Sequence, residues 1–295
     1  MSRKESAQLF QAFANLPDMS GASVADRRAF LDMAFQRFSV PDGVSVEALQ
    51  LAGRPAEKSV GADTGPVMLY LHGGGYVIGS LNSHRHLCGY LAAGMDGIVY
   101  SLDYRLAPEH PYPAAVDDAT AAYEALLAMH PDRPIVIAGD SAGGGLTFAT
   151  AIRIRDAGLR QPDCLVTFSP WVTMSTDADA YTRLAGADPL LSKSEIEWFA
   201  GHYLNDTNPA DAGASPLLAN LASLPPVLLQ VTDNECFLDD VIQMQKSLIA
   251  AGVEAELSVT PALYHVWQLH WPMLSEGRAA LDEAVEFIGH YSEAR

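Results

Sequence analysis

From position 67 onward, short apolar runs alternate with longer stretches in which apolar side chains return every three or four residues. That alternation predicts parallel strands joined by crossover helices. The strands are expected at 67–72 (VMLYLH), 97–103 (GIVYSLD), 135–139 (IVIAG), 164–169 (CLVTFS), 227–232 (VLLQVT) and 255–260 (AELSVT). The first five are nearly continuous apolar runs, as strands covered on both faces require, whereas the sixth alternates and suits a sheet edge. Helical spacing covers 114–129, 142–157, 239–251 and 278–292, and Gly158 and Gly252 stand where a left-handed residue would end a helix. Two segments fall outside the alternation: 2–37 is amphipathic and helical without a strand, and 175–222 is rich in Asp, Ala, Pro and Asn around one helix at 192–204. The expected architecture is α/β, a mostly parallel central sheet flanked by helices. Residues 46–174 and 223–295 would form its core, and 1–45 and 175–222 a helical cap.

Bulk properties narrow the function classes. With 295 residues, 49% hydrophobic and 18% charged, the chain can fill one large core and gives no sign of disorder. A formal net charge of -18 without any Lys/Arg-rich run repels polyphosphates, so no nucleic-acid partner is expected. Cys88, Cys164 and Cys236 lie far apart and are odd in number, which reads as free thiols in a reducing compartment. Residues 1–13 hold Arg3, Lys4 and Glu5 but no apolar leader core, and no window reaches bilayer length. The expected location is the cytoplasm, with no membrane span.

Candidate chemistry begins at Gly139-Asp140-Ser141-Ala142-Gly143, a G-x-S-x-G motif directly after the strand IVIAG and directly before a helical run. Gly and Ser also cluster in ordinary turns, and it is the strand before and the helix after that give this match meaning. A turn this sharp tolerates almost no side chain on either side of a strained serine, which accounts for Gly139 and Gly143. The following helix aims its N-terminal N–H groups at charge developing near Ser141. His72-Gly73-Gly74-Gly75 follows the strand VMLYLH, where N–H groups unobstructed by β-carbons can converge on an oxyanion. The expected hole comprises Gly73, Gly74, Gly75 and Ala142, with Gly74 the first candidate. No phosphate-loop lysine pattern accompanies these glycines. His72, on the strand side of the loop, is expected to brace it by hydrogen bonds.

HGGG at 72–75, GDSAGG at 139–144 and the intervening DYRLAPEHPYP at 103–113 resemble the bacterial hormone-sensitive-lipase-like esterases. The similarity runs from about residue 67 to the C-terminus, while the first 60 residues match only in being helical. The resemblance implies an α/β-hydrolase fold, an N-terminal and internal helical cap, no metal or organic cofactor, and activity on short- to medium-chain acyl esters. Asp103, Arg105 and Glu109 are expected to be paired charges that brace loops beneath the site.

A serine hydroxyl needs a base, and α/β-hydrolases supply an acid and then a histidine after the serine. His265 follows the strand AELSVT by a short turn, from which a loop residue can reach the top of the sheet. His290 comes too late, in the last helix, and His270 sits in a Trp-flanked run that suggests packing. His265-Val266-Trp267 also resembles the family's step after its histidine. Four carboxylates crowd the loop after VLLQVT: Asp233, Glu235, Asp239 and Asp240. Aligning ECFLDD with the family's D-x-L-x-D-[ED] puts Glu235 where the family has Asp, a departure by one methylene. Asp239 is the alternative, with a helix N-cap as its ordinary role, and Asp233 comes third. The expected triad is therefore Ser141, Glu235 and His265.

Tyr76, Trp171, Leu190, Trp198, Phe199 and Trp267 could shape an apolar pocket, although any one of them is more often simple packing and none is assigned a binding role. His84 and His86 have H-x-H spacing without a neighbouring carboxylate or cysteine cluster, so no metal site is expected and EDTA should leave activity unchanged. The expected partner is a small-molecule ester, with a homodimer left open. Serine carboxylesterase is the leading reading. Lactone hydrolysis or acyl transfer would use the same residues, and a non-catalytic ligand-binding relative of the fold is the alternative from a different class.

Overall fold

The computed structural model describes residues 2–292, in which the chain runs in order α1 (Ser2–Phe13), α2 (Val24–Phe35), β1 (Ser45–Leu51), β2 (Arg54–Val60), β3 (Val67–Leu71), α3 (Leu81–Gly94), β4 (Ile98–Leu102), α4 (Ala114–Met129), β5 (Ile135–Asp140), α5 (Ala142–Asp156), β6 (Cys164–Phe168), α6 (Ala180–Arg183), α7 (Lys193–Leu204), β7 (Val227–Thr232), α8 (Leu238–Ala250), β8 (Ala255–Thr260) and α9 (Ser275–Ser292). Eight strands form one sheet in the order β1-β2-β4-β3-β5-β6-β7-β8. It is antiparallel from β1 through β2 to β4 and parallel from there to β8. β3 and β5 lie side by side in register, Leu71 opposite Gly139, so the glycine loop and the Ser141 turn leave the same sheet edge as neighbours.

Every residue of β3, β4, β5, β6 and β7 is buried, and alternate side chains feed two different cores. Val67, Leu69 and Leu71 of β3 face the layer built with α4, α5 and α8, while Met68 and Tyr70 face the layer of α3 and α9, joined by Phe35 of α2. A period of two with both faces covered is what turns a strand into an uninterrupted apolar run. Each such Leu, Ile or Phe removed from water contributes about 1.5–3 kcal/mol. β8, paired only with β7, keeps partly exposed residues and ends the sheet as its alternation predicts. Gly158 and Gly252 adopt φ of +68° and +78° just past α5 and α8, the left-handed exit expected of them.

The sequence predicts no strand ahead of residue 67, and the hairpin β1–β2 corrects that reading. Its two-residue turn, Ala52-Gly53, has positive φ at both positions, 49° and 78°, the backbone twist that a tight hairpin requires. β1 is exposed along most of its length, so no apolar periodicity marked it. α3 also lacked a prediction. Gly89 and Gly94 interrupt its apolar pattern, and both allow close packing, Gly89 against Val40 and Gly94 against Val285.

α1 packs against α9 and the loop after β8. Leu9 joins Leu263, Tyr264 and Trp267 in a third cluster, and the Phe13 ring meets Tyr264 edge-on at 4.7 Å. Glu5 accepts from the Ser275 N–H at 2.9 Å at the start of α9. α2 reaches α7 through Arg27, which is buried, pairs with Glu195 at 3.0 Å and lies over the Trp198 ring at 4.2 Å. Among the described residues no helix is long and apolar enough to cross a membrane. Cys88, Cys164 and Cys236 are buried and unpaired.

Candidate active site

Ser141 occupies the single residue between β5 and α5, with φ 52° and ψ −120°, a conformation that L-residues avoid. Three hydrogen bonds hold it there. Its N–H donates to the Phe168 carbonyl at 2.8 Å, and its carbonyl accepts from Trp171 at 2.8 Å and Gly145 at 3.1 Å. A β-carbon on Gly139 would run into the Gly143 carbonyl, and one on Gly143 into the Leu71 carbonyl. Both flanking glycines are therefore steric necessities of a turn wedged against β3.

The glycine loop sits across from this turn. His72 Nδ1 donates to the Gly73 carbonyl at 2.8 Å, and its ring stacks on Tyr104, whose hydroxyl donates to the His72 carbonyl at 2.6 Å. Burial pushes the His72 imidazole down to about 4, which leaves a neutral brace. Gly74 and Gly75 have φ of +116° and +61°, and a β-carbon on Gly75 would collide with the Phe199 ring of α7. The Gly73 N–H is committed to Asp140 Oδ1 at 3.0 Å. Of the four donors expected from the sequence, it is thus the one already engaged. Those of Gly74, Gly75 and Ala142, the last at the first position of α5, make no hydrogen bond among the described residues.

His265 comes from the loop after β8, where Ala262 and Val266 take positive φ of 58° and 51° and turn the chain back over the sheet. Its Nε2 lies 2.8 Å from Ser141 Oγ and its Nδ1 2.5 Å from Glu235 Oε2. Glu235 is fully buried, and its other oxygen accepts from the Ser169 hydroxyl at 2.7 Å and the Thr232 N–H at 3.1 Å. Ser169 Oγ also accepts from the Val266 N–H at 3.3 Å, so one hydroxyl ties the acid loop to the histidine loop. Burial alone would push the His265 imidazole down. The Glu235 charge and hydrogen bond, followed by the Asp188 charge, outweigh it and hold the imidazole above its ordinary value.

The other carboxylates of this loop are engaged elsewhere. Asp239 accepts from the Ala180 N–H at 2.9 Å and pairs with Arg183 at 2.7 Å. It lies inside the first turn of α8, which Phe237 precedes as N-cap, so the N-cap expectation for Asp239 is corrected. Asp240 accepts from the Tyr181 hydroxyl and Asp233 from the Ala262 N–H. Arg105 pairs with Asp118 and Glu109 with Arg28, as paired charges were expected to do, while the Asp103 carbonyl accepts from Arg54. Trp267 and Leu190 belong to the α1 cluster, whereas Tyr76 stacks on Tyr203 at 3.7 Å near Trp171. His270 is buried edge-on to Phe13, and His290 is exposed on α9. His84 Nε2 meets Asp140 at 3.2 Å and His86 Nε2 donates to the Leu269 carbonyl at 2.8 Å, so the two rings serve different partners.

Three residues of this site carried no signal in the sequence reading: Ser169, Asp140 and Asp188. Ser169 follows β6 and Asp140 fills the variable position of the motif, places where an isolated Ser or Asp says little. Asp188 comes from a polar loop more than 70 residues upstream of His265, yet its carboxylate accepts the His265 backbone N–H at 2.5 Å.

A family model described as alpha/beta hydrolase fold matches residues 68–269. An acetyl-hydrolase of Streptomyces hygroscopicus is 38% identical over 259 residues, covering 86% of this chain and 85% of that protein. An esterase from the bacterial hormone-sensitive lipase family superposes with a TM-score of 0.94 at 38% identity, over 98% of this chain and 99% of that one. EstE5 in a crystal soaked with p-nitrophenyl butyrate superposes with a TM-score of 0.91, also at 38% identity, over 96% and 97%.

Proposed function

The chain belongs to the α/β-hydrolase family, among its bacterial hormone-sensitive-lipase-like esterases, and is a carboxylic ester hydrolase; from that premise we propose that Ser141, His265 and Glu235 cleave short- to medium-chain acyl esters through an acyl-enzyme intermediate. The observation that carries the reading is the pair of contacts made by one imidazole, Nε2 to Ser141 Oγ at 2.8 Å and Nδ1 to Glu235 at 2.5 Å.

As Ser141 Oγ attacks the ester carbonyl carbon, its proton passes to His265 Nε2, and Glu235 stabilises the imidazolium that forms. The carbonyl oxygen becomes an alkoxide facing the N–H groups of Gly74, Gly75 and Ala142, donors that need no reorganisation during the reaction. Collapse of this intermediate expels the alcohol oxygen, which takes the proton from Nε2 and leaves Ser141 acylated. Water then attacks the acyl carbon, giving its proton to the same nitrogen, and the acid leaves as Ser141 regains its proton. Lactone opening or transfer of the acyl group to another alcohol would use the same atoms.

Residues 1–45 and 175–222 are assigned as the cap and the remainder as the core. The Arg27–Glu195 pair, the Arg27–Trp198 contact and the seating of Phe199 against Gly75 support that division. The crowding of Tyr76, Tyr203, Trp171 and Phe199 beside the glycine loop favours a short acyl group. Stopped-flow mixing with p-nitrophenyl acetate tests the reading: a burst of p-nitrophenol in the wild type and none in Ser141→Ala is expected, and a burst that persists in the variant would overturn it.

A further inference from the structure

We propose that Asp188, in the loop ahead of α7, is a positioning residue for the triad that aligns the His265 backbone and adds a second carboxylate charge facing the imidazole. The inference rests on the triad reading above and deepens it, because it makes the internal 175–222 segment part of the catalytic apparatus as well as a cover.

Asp188 is buried, and both of its oxygens are taken by backbone: Oδ2 accepts from His265 N–H at 2.5 Å and Oδ1 from Leu190 N–H at 2.7 Å. No cation pairs with it among the described residues. A buried carboxylate held only by amides is costly to keep, and burial pushes the Asp188 carboxyl up to about 6 against the opposing pull of His265. Asn234, next to Glu235, completes the clamp. Its side-chain amide donates at 3.0 Å both to the Ala187 carbonyl and to the Leu263 carbonyl. Residue 187 is thus tied to the acid loop through Asn234 and residue 188 to the histidine loop at the His265 N–H, while Asn234 itself bridges to the histidine loop at Leu263.

The charged and titratable groups facing this position are His265 and Glu235, with Tyr264 and Cys236 beside it and Asp140 acting on His265 from the far side. Of these only His265 gains positive charge as the serine proton moves, so the Asp188 charge favours the imidazolium over the neutral ring. The direction is the same in the resting protein, where Asp188 helps hold the His265 imidazole above its ordinary value.

The test compares Asp188→Asn, Asn234→Ala and Ser141→Ala with the wild-type full chain on p-nitrophenyl acetate. Asp188→Asn should lower kcat about tenfold or more, the scale of a small misalignment, with KM within about twofold, and should move the acid limb of kcat/KM to lower pH. Asn234→Ala loosens the same loop but keeps the charge, so kcat should fall while the acid limb stays in place. Wild-type kcat with an unmoved acid limb in folded Asp188→Asn overturns the proposal, as does a loss confined to KM. Should Asp188→Asn fail to fold, Asn234→Ala decides, and wild-type kcat there overturns it. Ser141→Ala separates the two levels: activity surviving in that variant defeats the triad reading itself, whereas its loss alongside an unaffected Asp188→Asn defeats only this inference.

Discussion

The Gly73 N–H donates to Asp140 Oδ1 at 3.0 Å, so the residue just before the nucleophile holds the first glycine of the loop opposite. Asp140 is almost fully buried and also accepts from the Tyr70 hydroxyl at 2.8 Å and meets His84 at 3.2 Å. One carboxylate thereby fixes the spacing between the nucleophile turn and the donors that face it. Replacement of Asp140 by Ala strands three buried polar groups and should cost about 3–5 kcal/mol of stability. The urea midpoint should fall, and kcat should fall with it in the fraction that remains folded. A variant with wild-type midpoint would show that the network is dispensable.

Glu235 and Asp239 lie four residues apart with different partners, and substitution separates them. Glu235→Ala should lower kcat by about 10³–10⁴-fold, the scale for losing the group that orients and stabilises a catalytic imidazole. Asp239→Ala should leave kcat nearly unchanged and cost about 1 kcal/mol by releasing the Ala180 N–H and Arg183. Steady-state kinetics with thermal melts reads both, and the reverse pattern would transfer the acid role to Asp239.

Ser169 holds the Glu235 oxygen that His265 does not use. A hydrogen bond to a charged acceptor is worth about 1.5–3 kcal/mol, and its loss bears on the acid proposed to steady the imidazolium. Ser169→Ala should lower kcat about tenfold to a hundredfold with little change in KM. An unchanged kcat would mean that the Thr232 N–H alone suffices.

The proposed mechanism needs a neutral His265, and Glu235 followed by Asp188 holds its imidazole above the ordinary 6.5 despite burial. The kcat/KM profile should therefore lose its acid limb at a midpoint above 6.5, activity falling as pH drops through that value. A midpoint below 6.5, measured with a substrate whose leaving group does not titrate in the range, would contradict this.

His86 and His270 are buried beside Phe35, and burial pushes their imidazoles down to about 4 and about 3. Both rings are neutral in the folded state, while the unfolded chain takes up protons from pH 6.5 downward. Stability is thus fully present above that pH and lost as pH falls toward 4, by on the order of 2–3 kcal/mol per ring. Urea midpoints between pH 7 and pH 4.5 should decline, and more shallowly in His270→Phe, which keeps the ring contact with Phe13 and Tyr264. Equal slopes would assign the acid sensitivity to other groups.

The primary structure by itself determined the parallel strands, the helices that cross between them apart from α3, and the motif glycines. These follow from local rules: a strand buried on both faces must be apolar throughout, and a turn packed against a neighbouring carbonyl admits no β-carbon. That Ser141 and His265 would meet was legible because chain order and strand-loop context restrict the choices. Glu235 was legible only through alignment with a family pattern, since four carboxylates of the same loop are equivalent until their partners are known. β1 escaped because an exposed edge strand has little core face to impose periodicity, β2 because its sequence RPAEKSV carries charges and a Pro even though it is half-buried between β1 and β4, and their Ala-Gly turn is a weak local marker. Tertiary structure alone decided that Asp140 occupies the Gly73 donor, that Ser169 steadies the acid, and that Asp188 reaches the His265 backbone. Each of these is a contact between segments far apart in sequence, at residues whose type is ordinary where they stand. Only the packing of β5 beside β3 and β6, and of the 188 loop on the histidine loop, brings their polar atoms within hydrogen-bonding distance.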